Sequence, residues 1–215
     1  MIRPGEPWGS PAAGPLDAAG AGDDAALAVL VAAHPGARLA FAPDDRCDLA
    51  RAVGLRPDAP GGFDVPIDAI DLGPLGVAVN VVVSGVAPDR LSRRDRRRPV
   101  TVRVDGQLRY DGSATTVVIA NGQFLRGADL VPRGHPGDGR LEVQVYALAP
   151  AARAEARRRL PGGGHLPHPD IATFAGRSVT VTWRAPRPLE ADGRRRPATG
   201  RLDAQVRAGA ATLRV

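Results

Sequence analysis

The chain has 215 residues, which is enough for one domain of ordinary size or two small ones. Hydrophobic residues make up 43% of it but aromatic residues only 4%, and the 26 glycines and 21 prolines exclude a fold dominated by long helices. The net charge is +6, all 29 basic residues are arginine, and the single cysteine excludes an intrachain disulfide.

The first sixty residues predict a short α/β segment. Residues 1–20 are rich in proline, glycine and alanine, which favours an irregular arm. A helix is expected next, with Asp23 or Asp24 capping its first turn and Pro35-Gly36 ending it. A strand should follow, and then a second helix that begins near Asp44 or Asp45 and ends at Gly54. We expect this α/β unit to span residues 21–60.

The sequence pattern of residues 61–215 predicts a β-domain. The strand candidates alternate with Gly, Pro or Asp turns and are DVPIDAIDLG, GVAVNVVVSGVA, RPVTVRV, GQLRYDG, ATTVVIANG, RLEVQVYAL, RSVTVTWRA and RLDAQVRAGAATLRV. Asp105-Gly106 between two of them is a hairpin signal. One helix is expected over residues 149–160. The predicted fold class is α+β: a small α/β fragment followed by a larger antiparallel β-sandwich or barrel-like domain with one inserted helix.

One connection is too long for a plain hairpin. About twenty residues rich in Gly, Pro and Asp separate the strand that ends near Ala120 from the strand that begins near Leu141, whereas a hairpin needs two to five. In order, this arch contains an Asn-Gly, an aromatic residue, a Gly step, an apolar-Pro step and an Asp-Gly. The positions are Asn121, Gly122, Phe124, Gly127, Val131, Pro132, Asp138 and Gly139.

This order of motifs resembles the C-terminal domain of the diacylglycerol kinase, sphingosine kinase and bacterial lipid kinase family, within the NAD kinase-like superfamily. GGGHLPHPDI resembles its Gly-x-His segment, and Asp192-Gly193 resembles the start of its Asp-Gly-Glu element. Upstream, AGDDA resembles Gly-Gly-Asp-Gly-Thr, and PDDRCDLARAVGL resembles the following Pro-Leu-Gly-Thr-x-Asn-Asp-Leu-Ala-Arg.

The resemblance implies a two-domain kinase that uses ATP and Mg²⁺ to phosphorylate a lipid hydroxyl. It implies catalytic roles for Asp23 and Asp192 and nucleotide contacts from Gly22, Asp23 and Asp24. It also assigns Asn121, Gly122, Phe124, Gly127, Asp138 and Gly139 to the wall of the substrate cleft. No residue is assigned as a metal ligand.

Several departures from the family pattern weaken the nucleotide half. Asp24 and Ala25 replace a Gly-Thr pair, so a bare backbone and a hydroxyl give way to a carboxylate and a methyl group. Residues 44–46 read Asp-Asp-Arg in place of Leu-Gly-Thr, and Arg194 replaces an acidic residue. About twenty residues precede Gly22 where the family places further strand–helix units. We therefore expect a degenerate ATP-binding half.

Other residues have plain structural interpretations beside the functional ones. Asp23 at a helix start is more often a cap than a catalytic group. His165 and His168 could form a metal pair but favour a structural loop. Cys47 could have a lowered pKa at a helix start, although a buried small residue is the commoner role.

Arginine concentrates in residues 93–98, 153–159 and 194–196. Such runs are usually solvated, and aromatic residues for base stacking do not interleave with them, so nucleic-acid binding is not favoured. The single cysteine and an N-terminus without an apolar core of signal-peptide length predict a cytoplasmic protein. A helical arginine run can lie against anionic headgroups, which would place the protein at the inner membrane surface.

Two main functions remain open, and with them whether the chain is an enzyme. The preferred hypothesis is a degenerate lipid-kinase homologue that binds a lipid-like molecule or pairs with a partner chain or a second copy, with little kinase activity alone. The alternative is an active ATP-dependent lipid kinase acting on a diacylglycerol-like hydroxyl, with a partner chain supplying the missing half. A third, weaker option is an arginine-rich binder of nucleic acid or a membrane surface.

Overall fold

A computed structural model describes residues 8–55 and 62–215. The first seven residues of the expected arm and the boundary between the two expected domains lie outside the described residues. The N-terminal elements are β1 (Ser10–Pro11), β2 (Ala18–Gly22), α1 (Asp24–Ala33), β3 (Arg38–Pro43) and α2 (Asp48–Val53). Two short strands therefore lie where the sequence predicted an irregular arm.

The β-domain follows in chain order. Its elements are β4 (Phe63–Asp71), β5 (Val77–Ala78), β6 (Val81–Gly85), β7 (Arg98–Val104), β8 (Gln107–Ala114), β9 (Thr116–Ala120), β10 (Phe124–Leu125), β11 (Ala128–Asp129), β12 (Leu141–Tyr146), α3 (Arg153–Arg159), β13 (Ile171–Gly176), β14 (Ser178–Ala191) and β15 (Arg194–Arg214). Short 3-10 turns cover Gly73–Leu75, Pro88–Arg90 and Leu160–Gly162. Apart from the small β10–β11 hairpin, the described strands join one sheet of mostly antiparallel pairs.

The N-terminal helices follow local signals. Asp23 caps α1 by accepting a hydrogen bond from the Ala26 N–H at 3.1 Å, as predicted. The helix α2 begins at Asp48, later than predicted, because Asp44 forms a turn in which its carboxylate accepts the Arg46 N–H at 2.8 Å. Gly54 ends α2 in the left-handed conformation, with φ of 74°.

The last strand, β15, connects the two parts of the molecule. It pairs antiparallel with β14 and β4, and near its end it pairs parallel with β3. The parallel β2–α1–β3 unit is thereby added to the sheet of the β-domain. The prediction of an α+β fold with a small α/β piece beside a larger antiparallel β-domain is confirmed; the exact domain division stays a prediction.

Buried side chains fill both faces of the sheet. One cluster packs the strands of the β-domain against each other around Trp183, and a second packs α1 and α2 on the sheet around Leu39. A third cluster fills the space under α3, around Tyr146 and Leu160. The Asp105-Gly106 hairpin is confirmed, with φ of 50° and 77°. The sequence missed β13, whose IATFAG lacks alternating large apolar residues.

Candidate functional site

Four carboxylates meet where the α/β piece joins the β-domain. Asp23 and Asp24 stand at the start of α1, Asp48 at the start of α2, and Asp192 at the turn between β14 and β15. Each has at most 9% of its surface exposed. Buried carboxylates are rare without hydrogen-bond donors or cations, so their partners define what this site can do.

Asp24 is held by three donors that come from the rest of the chain. One oxygen accepts the Leu49 N–H at 2.9 Å and the Cys47 thiol at 3.2 Å, and the other accepts the Asn80 amide at 2.6 Å. Burial raises the pKa of Asp24 to about 6, and the nearby charge of Asp48 contributes to the rise. Both of its oxygens are therefore engaged within the protein.

Asp192 is bound by backbone N–H groups from the other side of the site. It accepts those of Val79, Asn80 and Val81 at 2.7 to 3.0 Å. Burial and then the charge of Asp24 raise the pKa of Asp192 to about 7, while the three N–H groups act in the opposite direction. The two predicted catalytic residues, Asp23 and Asp192, thus both lie beside Asp24.

Asp23 has the arrangement of a cap with two cations beside it. Its second oxygen accepts a hydrogen bond from the Arg194 guanidinium at 2.7 Å, and the Arg46 guanidinium lies 4.0 Å away. Arg46 also forms an ion pair with Asp44 at 2.7 Å. Arg46 and Arg194 are both at positions where the sequence differs from the family pattern, and in the structure both lie beside the Asp23 carboxylate.

Asn80 connects the two halves of the site, and sequence reasoning missed it. Its amide donates to Asp24 and to the Phe124 carbonyl, the latter at 3.1 Å, and its own backbone carbonyl accepts the Asn121 N–H at 2.8 Å. The only available signal was a lone asparagine inside the apolar run VAVNVVV. A Cβ on Gly122 would lie 2.2 Å from the Asn80 side-chain oxygen, which explains the glycine there.

The arch between β9 and β12 supplies one wall of this site. The Asn121 amide donates to the Asp68 and Val79 carbonyls at 3.0 and 2.8 Å. The Gly127 N–H, at a residue with φ of 76°, donates to Asp48 at 2.8 Å. The structure therefore places Asn121, Gly122, Phe124 and Gly127 around the carboxylates.

The Asp-Gly step of the arch lies elsewhere. Asp138 forms a turn by accepting the Arg140 N–H at 2.9 Å, and the Gly139 N–H donates to Asp68 at 2.6 Å. Asp68 is 2% exposed and also accepts the Gly209 N–H at 2.8 Å. Asp138 and Gly139 thus fix the backbone path, through an aspartate that the sequence did not single out.

The remaining candidates have structural surroundings. Burial, together with the Asp24 charge, raises the pKa of Cys47, which argues against a reactive thiolate. His165 stacks against Tyr146 with ring centroids 6.3 Å apart, and burial lowers its pKa. His168 accepts the Asp170 N–H at 3.0 Å. Over residues 8–55 and 62–215, no group of three His, Cys, Asp or Glu has an arrangement suited to a metal ion.

A small cavity lies beside α3. Its volume is about 150 Å³, and its lining includes Glu155, Arg159, His165 and His168. Ligand pockets for drug-sized molecules usually measure about 300 to 1,000 Å³. None of the described helices is long and apolar enough to cross a membrane.

Comparison with known proteins agrees with this architecture. A solved diacylglycerol kinase from Bacillus anthracis str. Sterne is 19% identical and has a TM-score of 0.72, over 92% of this chain and 76% of that chain. An NAD kinase from Archaeoglobus fulgidus, solved in complex with ATP, is 13% identical with a TM-score of 0.53, over 93% and 78% of the two chains. At these identities the likeness shows a shared fold.

Sequence comparison gives the family. No curated protein matches the chain. The family model described as the YegS C-terminal NAD kinase beta sandwich-like domain matches residues 92–215, which is more than half of the chain. The resemblance inferred from the arch and its flanking strands is confirmed, and the chain belongs to the family of the YegS C-terminal NAD kinase beta sandwich-like domain.

Proposed function

We propose that this chain is a degenerate lipid-kinase homologue that binds a lipid-like molecule or a protein partner and does not transfer phosphate by itself. The proposal rests on one observation: the protein's own carboxylates already bind the hydrogen-bond donors at the starts of α1 and α2. Asp23 accepts a hydrogen bond from the Ala26 N–H, and Asp24 accepts hydrogen bonds from the Leu49 N–H and the Asn80 amide. These are the kinds of donor that a phosphate would use at a helix start.

The charges at the site also disfavour a triphosphate. A phosphate oxygen about 4 Å from one carboxylate would cost on the order of 4 kcal/mol in a partly exposed site, and Asp23 and Asp24 are adjacent. Arg194 and Arg46 could offset this, but both already contact Asp23. The residues at the start of α1 therefore do not fit the phosphates of a nucleotide, and we derive no phosphoryl-transfer step through them.

The second candidate is an active lipid kinase, and one observation favours it. Asp24 and Asp192 are neighbouring carboxyls with pKa values raised to about 6 and about 7. A carboxylate that titrates near neutral pH is suited to accept a proton from a lipid hydroxyl. Against this, every oxygen of both groups accepts a hydrogen bond from the protein itself. A base with free access to a substrate would keep one oxygen open.

Calorimetric titration of the protein with ATP in millimolar Mg²⁺ distinguishes the two candidate functions. We expect no saturable binding by the natural sequence. The double variant Asp24→Gly/Ala25→Thr, which restores the Gly-Thr pair of the family motif, should gain binding. Asp203→Asn removes an exposed carboxylate outside the family motifs and should gain none. Saturable, magnesium-dependent binding by the natural sequence, with transfer to diacylglycerol that Asp23→Asn abolishes, would establish the second candidate.

The double variant removes a buried carboxylate with three donors, so its folding is checked by circular dichroism before titration. Arg194→Glu gives an independent readout, because this side chain is 57% exposed and its replacement restores the acidic residue of the Asp-Gly-Glu motif. Because Arg194 offsets the Asp23 charge, this variant should bind ATP no better than the natural sequence. A gain of binding in Arg194→Glu would contradict the electrostatic part of the proposal.

Lipid binding has its own test. The apolar cluster under α3 is filled by the protein's side chains, so a lipid that binds there must displace α3. We expect a bound lipid to raise the melting temperature and to change hydrogen exchange in α3 more than in α1. If no lipid class changes the melting temperature or the hydrogen exchange, lipid binding is refuted and binding of a protein partner is the function that remains.

A further inference from the structure

The strongest charge on the molecule lies in two short segments. Residues 92–98 contain five arginines and one aspartate, and residues 153–159 contain four arginines and one glutamate. Together they hold a net charge of +7, whereas the whole chain holds +6. The other residues therefore sum to about neutral, and the basic character of this protein belongs to these segments.

The fold brings the two segments together. The Arg153 side chain is 1% exposed and points into the connection between β6 and β7. Its guanidinium donates to the Ser92 carbonyl at 2.9 Å and also to the Asp95 carbonyl, and its Nε donates to the Leu148 carbonyl at 3.2 Å. Arg157 adds a hydrogen bond to the Leu91 carbonyl at 2.9 Å. These bonds fix the loop against α3.

We call the exposed part of this surface the arginine platform. It consists of Arg93, Arg94, Arg96, Arg97, Arg98, Arg157, Arg158 and Arg159.

Most of the positive charge on the platform is not neutralised within the protein. Asp95 is engaged by the Ser92 N–H and hydroxyl at 2.6 and 2.9 Å, and Glu155 pairs with two arginines of α3. In the part of the chain that the structure describes, five exposed arginines of the platform loop have no ion pair, and four of them have no side-chain hydrogen bond either. Those four are Arg93, Arg94, Arg96 and Arg98, whereas Arg97 donates to the Ala147 carbonyl at 3.0 Å.

We infer that the arginine platform docks this protein onto anionic phospholipid surfaces. Each arginine close to such a surface increases binding about fivefold, so the loop arginines that have no ion pair are together strong enough for peripheral attachment. Single-stranded nucleic acid fits less well, because the platform contains no aromatic residue on which bases could stack. The inference does not depend on nucleotide binding and holds for either function proposed above.

Vesicle co-sedimentation tests the inference with the full chain. The vesicles contain phosphatidylcholine alone or with 30% phosphatidylglycerol, at about 0.1 M salt. We expect binding to the anionic vesicles only. The variant Arg93→Gln/Arg94→Gln/Arg96→Gln/Arg98→Gln should lose at least 100-fold in affinity, since each arginine contributes about fivefold. Its side chains are exposed, so its melting temperature should stay unchanged.

A matched control separates this surface from the overall charge. The variant Arg103→Gln/Arg133→Gln/Arg177→Gln/Arg195→Gln removes four exposed arginines elsewhere and the same net charge. It should keep anionic vesicle binding within about fivefold. Equal losses in both variants would overturn the inference. So would tighter binding to a 20-nucleotide RNA or duplex DNA than to anionic vesicles in the same buffer.

Discussion

Asp192→Asn is the substitution that tests the buried carboxylate pair most fully. In the natural protein, both carboxylate oxygens accept backbone N–H groups, from Val79, Asn80 and Val81. Both oxygens of the carboxyl can accept a hydrogen bond even when it is protonated, whereas an amide keeps one acceptor oxygen and turns its NH₂ group towards an N–H donor. A buried donor without an acceptor costs about 1 to 3 kcal/mol, so the variant should be less stable at acidic pH.

The size of this loss should depend on pH. Burial and Asp24 raise the folded-state pKa of Asp192 to about 7, whereas an unfolded aspartate titrates near 4. Between these values the folded protein keeps a proton that the unfolded chain has released. The stability contributed by protonated Asp192 is therefore complete below about pH 4 and is lost as the pH rises through about 7. Three pH units correspond to at most about 4 kcal/mol.

The amide that replaces this carboxyl cannot ionise, so the variant should lack this loss. The difference in unfolding free energy between the natural protein and the variant should shrink as the pH rises from 4.5 to 8, and it should vanish or reverse near pH 8. Urea unfolding can be followed by the fluorescence of Trp183, which is buried and donates to the Ser84 hydroxyl at 2.8 Å. A difference that stays constant over this range would refute the raised pKa of Asp192.

A control variant is Asp203→Asn. Asp203 is exposed, and hydrogen bonds from Arg201 lower its pKa, so its stabilising contribution is lost only at pH values below the ordinary aspartate range. The difference in unfolding free energy between the natural protein and Asp203→Asn should therefore stay constant between pH 4.5 and 8.

Three further substitutions test the packing around the site and the platform. Arg153→Leu leaves buried carbonyls without their donor and should lower the free energy of unfolding by about 3 kcal/mol. Arg158→Leu, at an exposed position, should lower it by less than about 0.5 kcal/mol. Equal melting temperatures of the two variants would show that Arg153 does not hold the loop against α3. Gly85→Ala should cost about 3 kcal/mol, because φ is 105° and the new Cβ would lie 2.3 Å from a carbonyl oxygen, while Gly193→Ala, in open space at φ of 74°, should cost about 1 kcal/mol by urea unfolding. Asn121→Ala removes two buried hydrogen bonds and should lower the unfolding free energy by about 2 kcal/mol; a change below about 0.5 kcal/mol would show that these bonds are not structural.

Elements with local signals could be predicted from the sequence. The cap of α1 and the hairpin at Asp105-Gly106 depend on residues a few positions apart, so their sequence patterns were sufficient. The arch was recognisable from the order of its motifs. In contrast, β13 carries no alternation of large apolar residues, and it forms because β12 offers it a partner.

The centre of the site could not be predicted in this way. Asn80 binds Asp24 across 56 positions, and Asp192 binds the Asn80 N–H across 112 positions. Only the topology of the sheet brings such residues together. Arg153 shows the same limit: within an arginine run that predicted a solvated helix face, this one side chain is buried and holds the neighbouring loop.

Titration of the natural protein with ATP in millimolar Mg²⁺ distinguishes a degenerate homologue from an active kinase. We expect no saturable heat, because Asp23 and Asp24 already accept hydrogen bonds from the N–H groups at the starts of α1 and α2 and place two carboxylates beside them. Saturable, magnesium-dependent binding by the natural protein, with an ATP affinity no lower than that of Asp24→Gly/Ala25→Thr, would contradict this expectation.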